Sequence, residues 1–263
     1  MCHPEVPAGV EPIEVRTAEV SIAVDARERM PALLALPERT PAPAVLVTND
    51  VFGRSPFYEN LSLRLAQAGY VALDAEFFFR EGPLAEQTRE AATARSQLLD
   101  QQRTVRDLGA AIDWLKARDE VRGEKIGTIG FCMGGTLTLD LAVRGDVAAT
   151  VSYYGFPARG GDSPKAPPKP LDLAAHMRGR ILGHWGDQDT GVGMENVEEL
   201  RSRLAAAKVD HTIHIYPGLA HGFLKAFLDD ERSPGYEQAC TSWKRTLDFY
   251  REALSERRAG LTV

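Results

Sequence analysis

The chain has 263 residues, with 31 Lys+Arg against 37 Asp+Glu and a formal charge of −6. An acidic surplus argues against a free nucleic-acid binder, and 44% apolar with 26% charged residues excludes the composition of a disordered chain. No apolar run approaches the roughly 18–20 residues that span a bilayer, and Met1 to Glu5 carries no basic n-region and opens no apolar h-region.

A cytoplasmic protein without a membrane partner is expected. The three cysteines, Cys2, Cys132 and Cys240, show no paired spacing. They suit a reducing compartment better than a disulfide framework or a Cys-based zinc site. The length allows one large α/β domain or two small ones. The only composition shift, Phe156 to Pro170, is rich in Pro and Gly and reads as a surface loop. A single domain over 1–263 is expected, with 1–12 and 255–263 as loose termini.

In chain order, Glu14–Val24 and Ala32–Leu36 read as antiparallel strands around a charged turn. Ala44–Thr48 is a short apolar run of the kind buried on both faces. Helical spacing over Pro56–Gln67 ends at Gly69, and Tyr70–Asp74 is the next strand. Glu86–Arg118 is a long helical region with room for one break. Strands follow at Lys125–Phe131, Ala148–Tyr154, Arg180–Trp185 and His211–Tyr216. Helices are expected at Thr136–Val143, Glu195–Ala207 and Tyr236–Leu254. This alternation predicts an α/β fold: a mostly parallel central sheet with helices on both faces and an antiparallel N-terminal edge. Functional residues in such folds sit beyond the carboxyl ends of the strands.

One of those loops reads Gly130-Phe131-Cys132-Met133-Gly134-Gly135, a G-x-C-x-G-G run between a strand and a helix. It has the form of a nucleophile elbow with Cys in place of Ser. Small residues are needed because the turn is tight, and the following helix aims its positive end at the thiol. The Met133 amide points into the same space as an oxyanion donor. Cys is also a common core residue, so partners decide between the readings. Asp187 and Asp189 follow one strand, and His221 follows the next within Pro217–Phe223. The order Cys132, Asp189, His221 is that of an α/β-hydrolase triad, with His221 as base and Asp189 as its orienting acid. Asp187 remains the alternative acid, or a turn cap. His184 lies within a strand and is expected to pack in the sheet. No G-x-G-x-x-G follows a strand and no ligand cluster stands out, so neither a dinucleotide nor a metal cofactor is expected.

With these residues in hand, the chain resembles the dienelactone hydrolase family of α/β-hydrolases over about residues 14–254. The resemblance rests on Asp50-Val51-Phe52-Gly53, Arg80, the Gly130–Gly135 run, Tyr153-Tyr154-Gly155, Gly186–Asp189 and Tyr216–Phe223. It implies the Cys132–His221–Asp189 triad, with the amides of Val51 and Met133 as the oxyanion hole. It also implies that Asp50, where the family has Glu, interacts with the resting thiol; a plain turn residue is the other reading. Arg80 and Lys225, the latter in place of Arg, would clamp a substrate carboxylate, unless both are solvated surface groups. A thiolate attacks activated acyl carbons readily, which favours esters and lactones over peptides. The expected partner is therefore a small lactone or ester, with an anionic one favoured by Arg80 and Lys225. Two other readings are a broad-specificity small-ester carboxylesterase unrelated to aromatic catabolism and a non-catalytic hydrolase-fold binding module. The oligomeric state is not legible.

Overall fold

The computed structural model describes Val6 and residues 10–123 and 126–255. Cys2, His3, Lys125 and residues 256–263 lie outside the described residues. The strands are β1 (Arg16–Ala23), β2 (Arg29–Leu36), β3 (Ala44–Thr48), β4 (Val71–Ala75), β5 (Ile126–Phe131), β6 (Val147–Tyr153), β7 (Arg180–Gly186) and β8 (Asp210–Tyr216). They form one eight-stranded sheet in the order β1-β2-β4-β3-β5-β6-β7-β8. β1 pairs antiparallel with β2, and β2 with β4. All pairings from β4 through β8 are parallel.

The apolar runs explain the sheet's position. Every residue of β3 and β4 is buried. Their side chains alternate between two core clusters: Val45 and Val47 enter one, Ala44 and Leu46 the other. The first cluster takes in Phe57, Leu61 and Leu65 of α1 (Pro56–Gln67) and Trp243 and Tyr250 of α7 (Tyr236–Ala253). The second takes in Leu108, Ile112 and Leu115 of α3 (Gln101–Lys116) and Leu137 of α4 (Met133–Leu141). Each large side chain so buried contributes about 1.5–3 kcal/mol. Tyr250 also satisfies its hydroxyl, donating to the Thr128 carbonyl at 2.7 Å.

The long helical region is broken at Leu99, whose backbone is extended at ψ 129°. Asp100 then caps α3 by accepting from the Arg103 amide at 2.9 Å. Before the break runs α2 (Arg89–Leu98), capped by Thr88. Further on lie α5 (Pro170–Leu173) and α6 (Met194–Ala206). Two 3-10 turns run over Ala174–His176 and Phe223–Leu228. α4 begins at Met133 and not at Thr136; Gly134 and Gly135 are poor helix formers, which hides its first turn from the sequence pattern. No helix among the described residues is long and apolar enough to cross a membrane.

α4 carries a buried acid. Asp140 is 2% exposed, and neither carboxyl oxygen has a hydrogen-bond partner among the described residues. Burial raises its pKa well above the ordinary value. Folded protein therefore keeps a proton that unfolded chain releases above about pH 4. Stability should fall as pH rises from there, by up to about 1.4 kcal/mol per pH unit, until the folded group ionises. Asp140→Asn should remove this slope. Denaturant titrations of both proteins at pH 5, 6, 7 and 8 check it; a stability difference that does not grow with pH contradicts the assignment.

Candidate active site

β5 hands over to α4 through Cys132, which stands at φ 55°, ψ −117°. A non-glycine residue held there costs on the order of 1–3 kcal/mol. Backbone bonds hold it. The Cys132 amide donates to the Tyr153 carbonyl at 3.0 Å, and the Thr136 amide donates to the Cys132 carbonyl at 3.2 Å. The flanking glycines answer to close backbone contacts. A Cβ on Gly130 would lie 2.1 Å from the Gly134 carbonyl oxygen, and one on Gly134 would lie 2.1 Å from that of Asn49.

Beyond β7 and β8 the chain brings Asp189 to His221. Their Oδ2 and Nδ1 are 2.7 Å apart, with the Asp189 side chain 1% exposed. That bond assigns the proton to Nδ1 and leaves Nε2 as the basic nitrogen. The two loops are knitted together: Asp187 N–H donates to the Tyr216 carbonyl at 3.1 Å, and Gln188 N–H to the Leu219 carbonyl at 2.9 Å. Asp187 is the turn-forming residue, accepting from the Gly218 amide at 2.8 Å. The His221 ring packs against Tyr154 and Phe156, at centroid distances of 4.9 and 5.3 Å. His184 packs within the sheet, between the Tyr216 hydroxyl at 2.9 Å and Thr246 Oγ1 at 3.2 Å. Burial, with His214 and Arg245 adding to it, pushes its pKa well down and keeps it neutral.

The segment after β3 is held from several sides. Asn49 Nδ2 donates to Asp74 Oδ1 at 2.6 Å. Burial pushes Asp74 up to about 8, opposed by this bond and by Arg54. The Asp50 carboxylate accepts from the Phe52 amide and from the Tyr58 hydroxyl, each at 2.8 Å. Arg95, on α2, donates to the Val51 carbonyl at 3.1 Å and stacks over Phe78. The amides of Val51 and Met133 donate to no other described residue. Asn49, Tyr58, Asp74 and Arg95 were absent from the sequence-derived site. Asp74 reaches this segment from β4, Tyr58 from α1 and Arg95 from α2, so no local pattern around residues 49–52 announces them.

Val51, Cys132, Asp189 and His221 share the wall of a cavity of about 450 Å³. An adjoining chamber of about 360 Å³ shares Val51, Ser96, Phe156 and Arg159 with it and is lined also by Met133 and Thr136. Neither chamber is lined by Arg80 or Lys225. Arg80 is locked in an ion pair with Asp107, contacts Glu28 at 2.7 Å, and stacks over Phe79. The expectation that it faces the substrate is corrected on that ground. Lys225 is exposed on the 3-10 turn Phe223–Leu228. Phe77 and Phe78 are core residues and do not line the cavity. The cations that do line it are Arg89 and Arg159.

A sheet of this order, with a strained residue at a strand-to-helix turn and an Asp–His pair at later strand ends, is the α/β-hydrolase architecture. Comparison with known proteins narrows the class. The profile of the dienelactone hydrolase family matches residues 30–254. A carboxymethylenebutenolidase from Rhodococcus opacus is 30% identical over 261 residues, covering 97% of this chain and 98% of its own. A Klebsiella pneumoniae protein assigned as a dienelactone hydrolase superposes with a TM-score of 0.81 at 29% identity, over 91% of this chain and 99% of its own. A metagenomic dienelactone hydrolase-like promiscuous phosphotriesterase, P91, gives a TM-score of 0.72 at 25% identity, over 91% and 98%. The chain belongs to the dienelactone hydrolase family, and it is a hydrolase.

The crowding at Gly134 gives a direct test. Gly134→Ala should destabilise the protein by about 1–3 kcal/mol through overpacking against the Asn49 and Thr48 carbonyls. Gly145→Ala, where a Cβ meets nothing within 4 Å, is the control. Equal thermal midpoints for the two variants would refute the close approach.

Proposed function

We propose that the chain hydrolyses a lactone or small carboxylic ester through a Cys132–His221–Asp189 triad and a thioester acyl-enzyme. The observation that carries this reading is the strained Cys132 turn opening on the same cavity as the Asp189–His221 pair. The names of the relatives, carboxymethylenebutenolidase among them, support the substrate class.

In this reading His221 Nε2 takes the thiol proton as Cys132 Sγ bonds to the acyl carbon. The carbonyl electrons move onto oxygen, and the amides of Val51 and Met133 donate to that oxyanion. Collapse breaks the acyl–oxygen bond, and the leaving alkoxide receives the proton from His221. For a lactone the released hydroxyl stays tethered to the acyl group. Water then attacks the thioester with His221 as base, and Cys132 leaves with the proton restored. Asp189 keeps the imidazole in the required tautomer throughout. Asp50 serves this scheme as the support of the Val51–Phe52 turn, because its carboxylate accepts from the Phe52 amide and the Tyr58 hydroxyl.

Cys132→Ala should lower hydrolysis of a responsive lactone or aryl ester by roughly a thousandfold or more, with an unchanged thermal midpoint or a higher one. A panel of lactones and p-nitrophenyl esters, run on both proteins in parallel, measures this. A variant retaining more than about a tenth of wild-type activity would show that Cys132 is not the nucleophile.

A further inference from the structure

Val51 borders both chambers, on the turn that leaves β3. The peptide that follows it, Val51–Phe52, is gripped at both ends. The Phe52 N–H donates to Asp50 Oδ1 at 2.8 Å, and the Val51 carbonyl accepts from Arg95 Nη2 at 3.1 Å. One residue on, the Gly53 N–H donates to the Asp50 carbonyl at 3.0 Å. Arg95 reaches this turn from α2. It is buried and lines neither chamber itself.

The guanidinium is itself well fixed. Its Nη1 donates to the Gly82 carbonyl at 3.0 Å, and its carbon lies 4.0 Å from the centroid of the Phe78 ring. A Cβ on Gly53 would stand 3.1 Å from the nitrogen that serves Val51, so the glycine lets turn and guanidinium approach. Burial works against the charge on Arg95, and Glu76, Glu81 and Asp50 favour it. An oxyanion donor is effective only when its direction is set before the reaction. The Val51 N–H belongs to the 50–51 peptide, which shares the Val51 Cα with the gripped 51–52 peptide. Asn49 is tied to Asp74 on the other side. With both flanks held, the 50–51 peptide has little room to turn.

We propose that Arg95 is a positioning residue for the oxyanion hole: by holding the Val51 carbonyl, it keeps the Val51 amide aimed at the acyl oxygen. It touches no substrate and acts through the turn. The proposal rests on the reading of Cys132 as nucleophile and of the Val51 amide as oxyanion donor. Anchoring α2, of which only Ala92 and Arg95 are buried, is the structural role from which it must be separated.

Two reactions of one thiol make the separation. p-Nitrophenyl acetate acylates Cys132: the Sγ–carbon bond forms, an oxyanion develops and collapses, and p-nitrophenolate leaves. Iodoacetamide alkylates it: an Sγ–CH2 bond forms, iodide leaves, and no tetrahedral oxyanion develops. The readout is the ratio of kcat/KM for the ester, which reports acylation, to the rate constant of Cys132 labelling followed by peptide mapping. General changes in thiol reactivity or access cancel in it. Arg95→Gln should lower the ratio roughly 10–100-fold. Arg95→Lys, which keeps the charge and a donor but loses the fork, should lower it about 3–10-fold. Thr88→Ala, which removes the cap of α2 and leaves Arg95 in place, should keep the wild-type ratio. An unchanged ratio in both Arg95 variants would show that Arg95 only seats α2; the proposal falls and the nucleophile stands. A ratio that falls as far in Thr88→Ala would assign the effect to α2 as a whole and also overturn it. Should Arg95→Gln fail to fold, the ratio in Arg95→Lys decides by the same criterion. A wild-type Cys132 that takes neither reagent removes the nucleophile reading, and the positioning role with it.

Discussion

The carbonyl oxygens of Thr48 and Asn49 lie 2.2 and 2.1 Å from where a Cβ on Gly134 would stand. That approach places the end of β3 against the head of α4, and the arrangement of the cavity depends on it. It puts Val51 on the wall that Cys132 shares. Thr48 Oγ1 secures the contact by donating to the Gly134 carbonyl at 3.0 Å. The positive φ of Cys132 is tolerated because its amide and carbonyl are both bonded, to Tyr153 and Thr136. Local strain is thus offset by a ladder of backbone bonds that continues sideways, from Cys132 to Tyr153 and from Tyr154 to His184.

The loops carrying the acid and the histidine use the same device. Gly186 lets the Leu219 carbonyl pass where a Cβ would meet it at 2.1 Å. The Gln188 amide donates to that carbonyl, and Asp187 bonds back to Gly218. The Asp189–His221 geometry is therefore set by main chain, with the side chains only completing it. Burial raises Asp74, and Asn49 turns its carboxyl into an anchor for the segment leading to Val51.

Which features the sequence discloses follows from the range of the interactions behind them. The Gly130–Gly135 run is a local turn with local steric demands, so the Cys132 turn between a strand and a helix is readable from six adjacent residues, although the helix itself begins three residues earlier than its pattern suggests. The parallel strand Ala44–Thr48, buried on both faces, matches its apolar run residue for residue, and the other parallel strands lie within one residue of theirs at each end. Arg80 shows the opposite case. Its partners Asp107 and Glu28 are 27 and 52 residues away, and nothing in its neighbourhood announces them. Asp50 likewise carries a motif position, while its role at the Val51 turn also involves Tyr58, a residue of α1. Arg89 and Arg159 have no motif at all. They line one cavity, Arg89 from α2 and Arg159 from the stretch after β6, 70 residues apart in the chain.

The excursion between β4 and α3 has its own caps at Thr88 and Asp100, and its face over the cavity is supplied by side chains. Val51, Cys132, Asp189 and His221, the groups of the proposed mechanism, are instead held on the loops after β3, β5, β7 and β8. On the proposed mechanism, the fold thereby separates what reacts from what is admitted. Substitutions at Arg89, Thr93 or Ser96 can reshape the entrance while leaving every bond that positions Cys132 in place. Lineages sharing this scaffold could drift from one acyl compound to another by exchanging a few solvent-facing side chains of one short helix, and a designer could follow the same route.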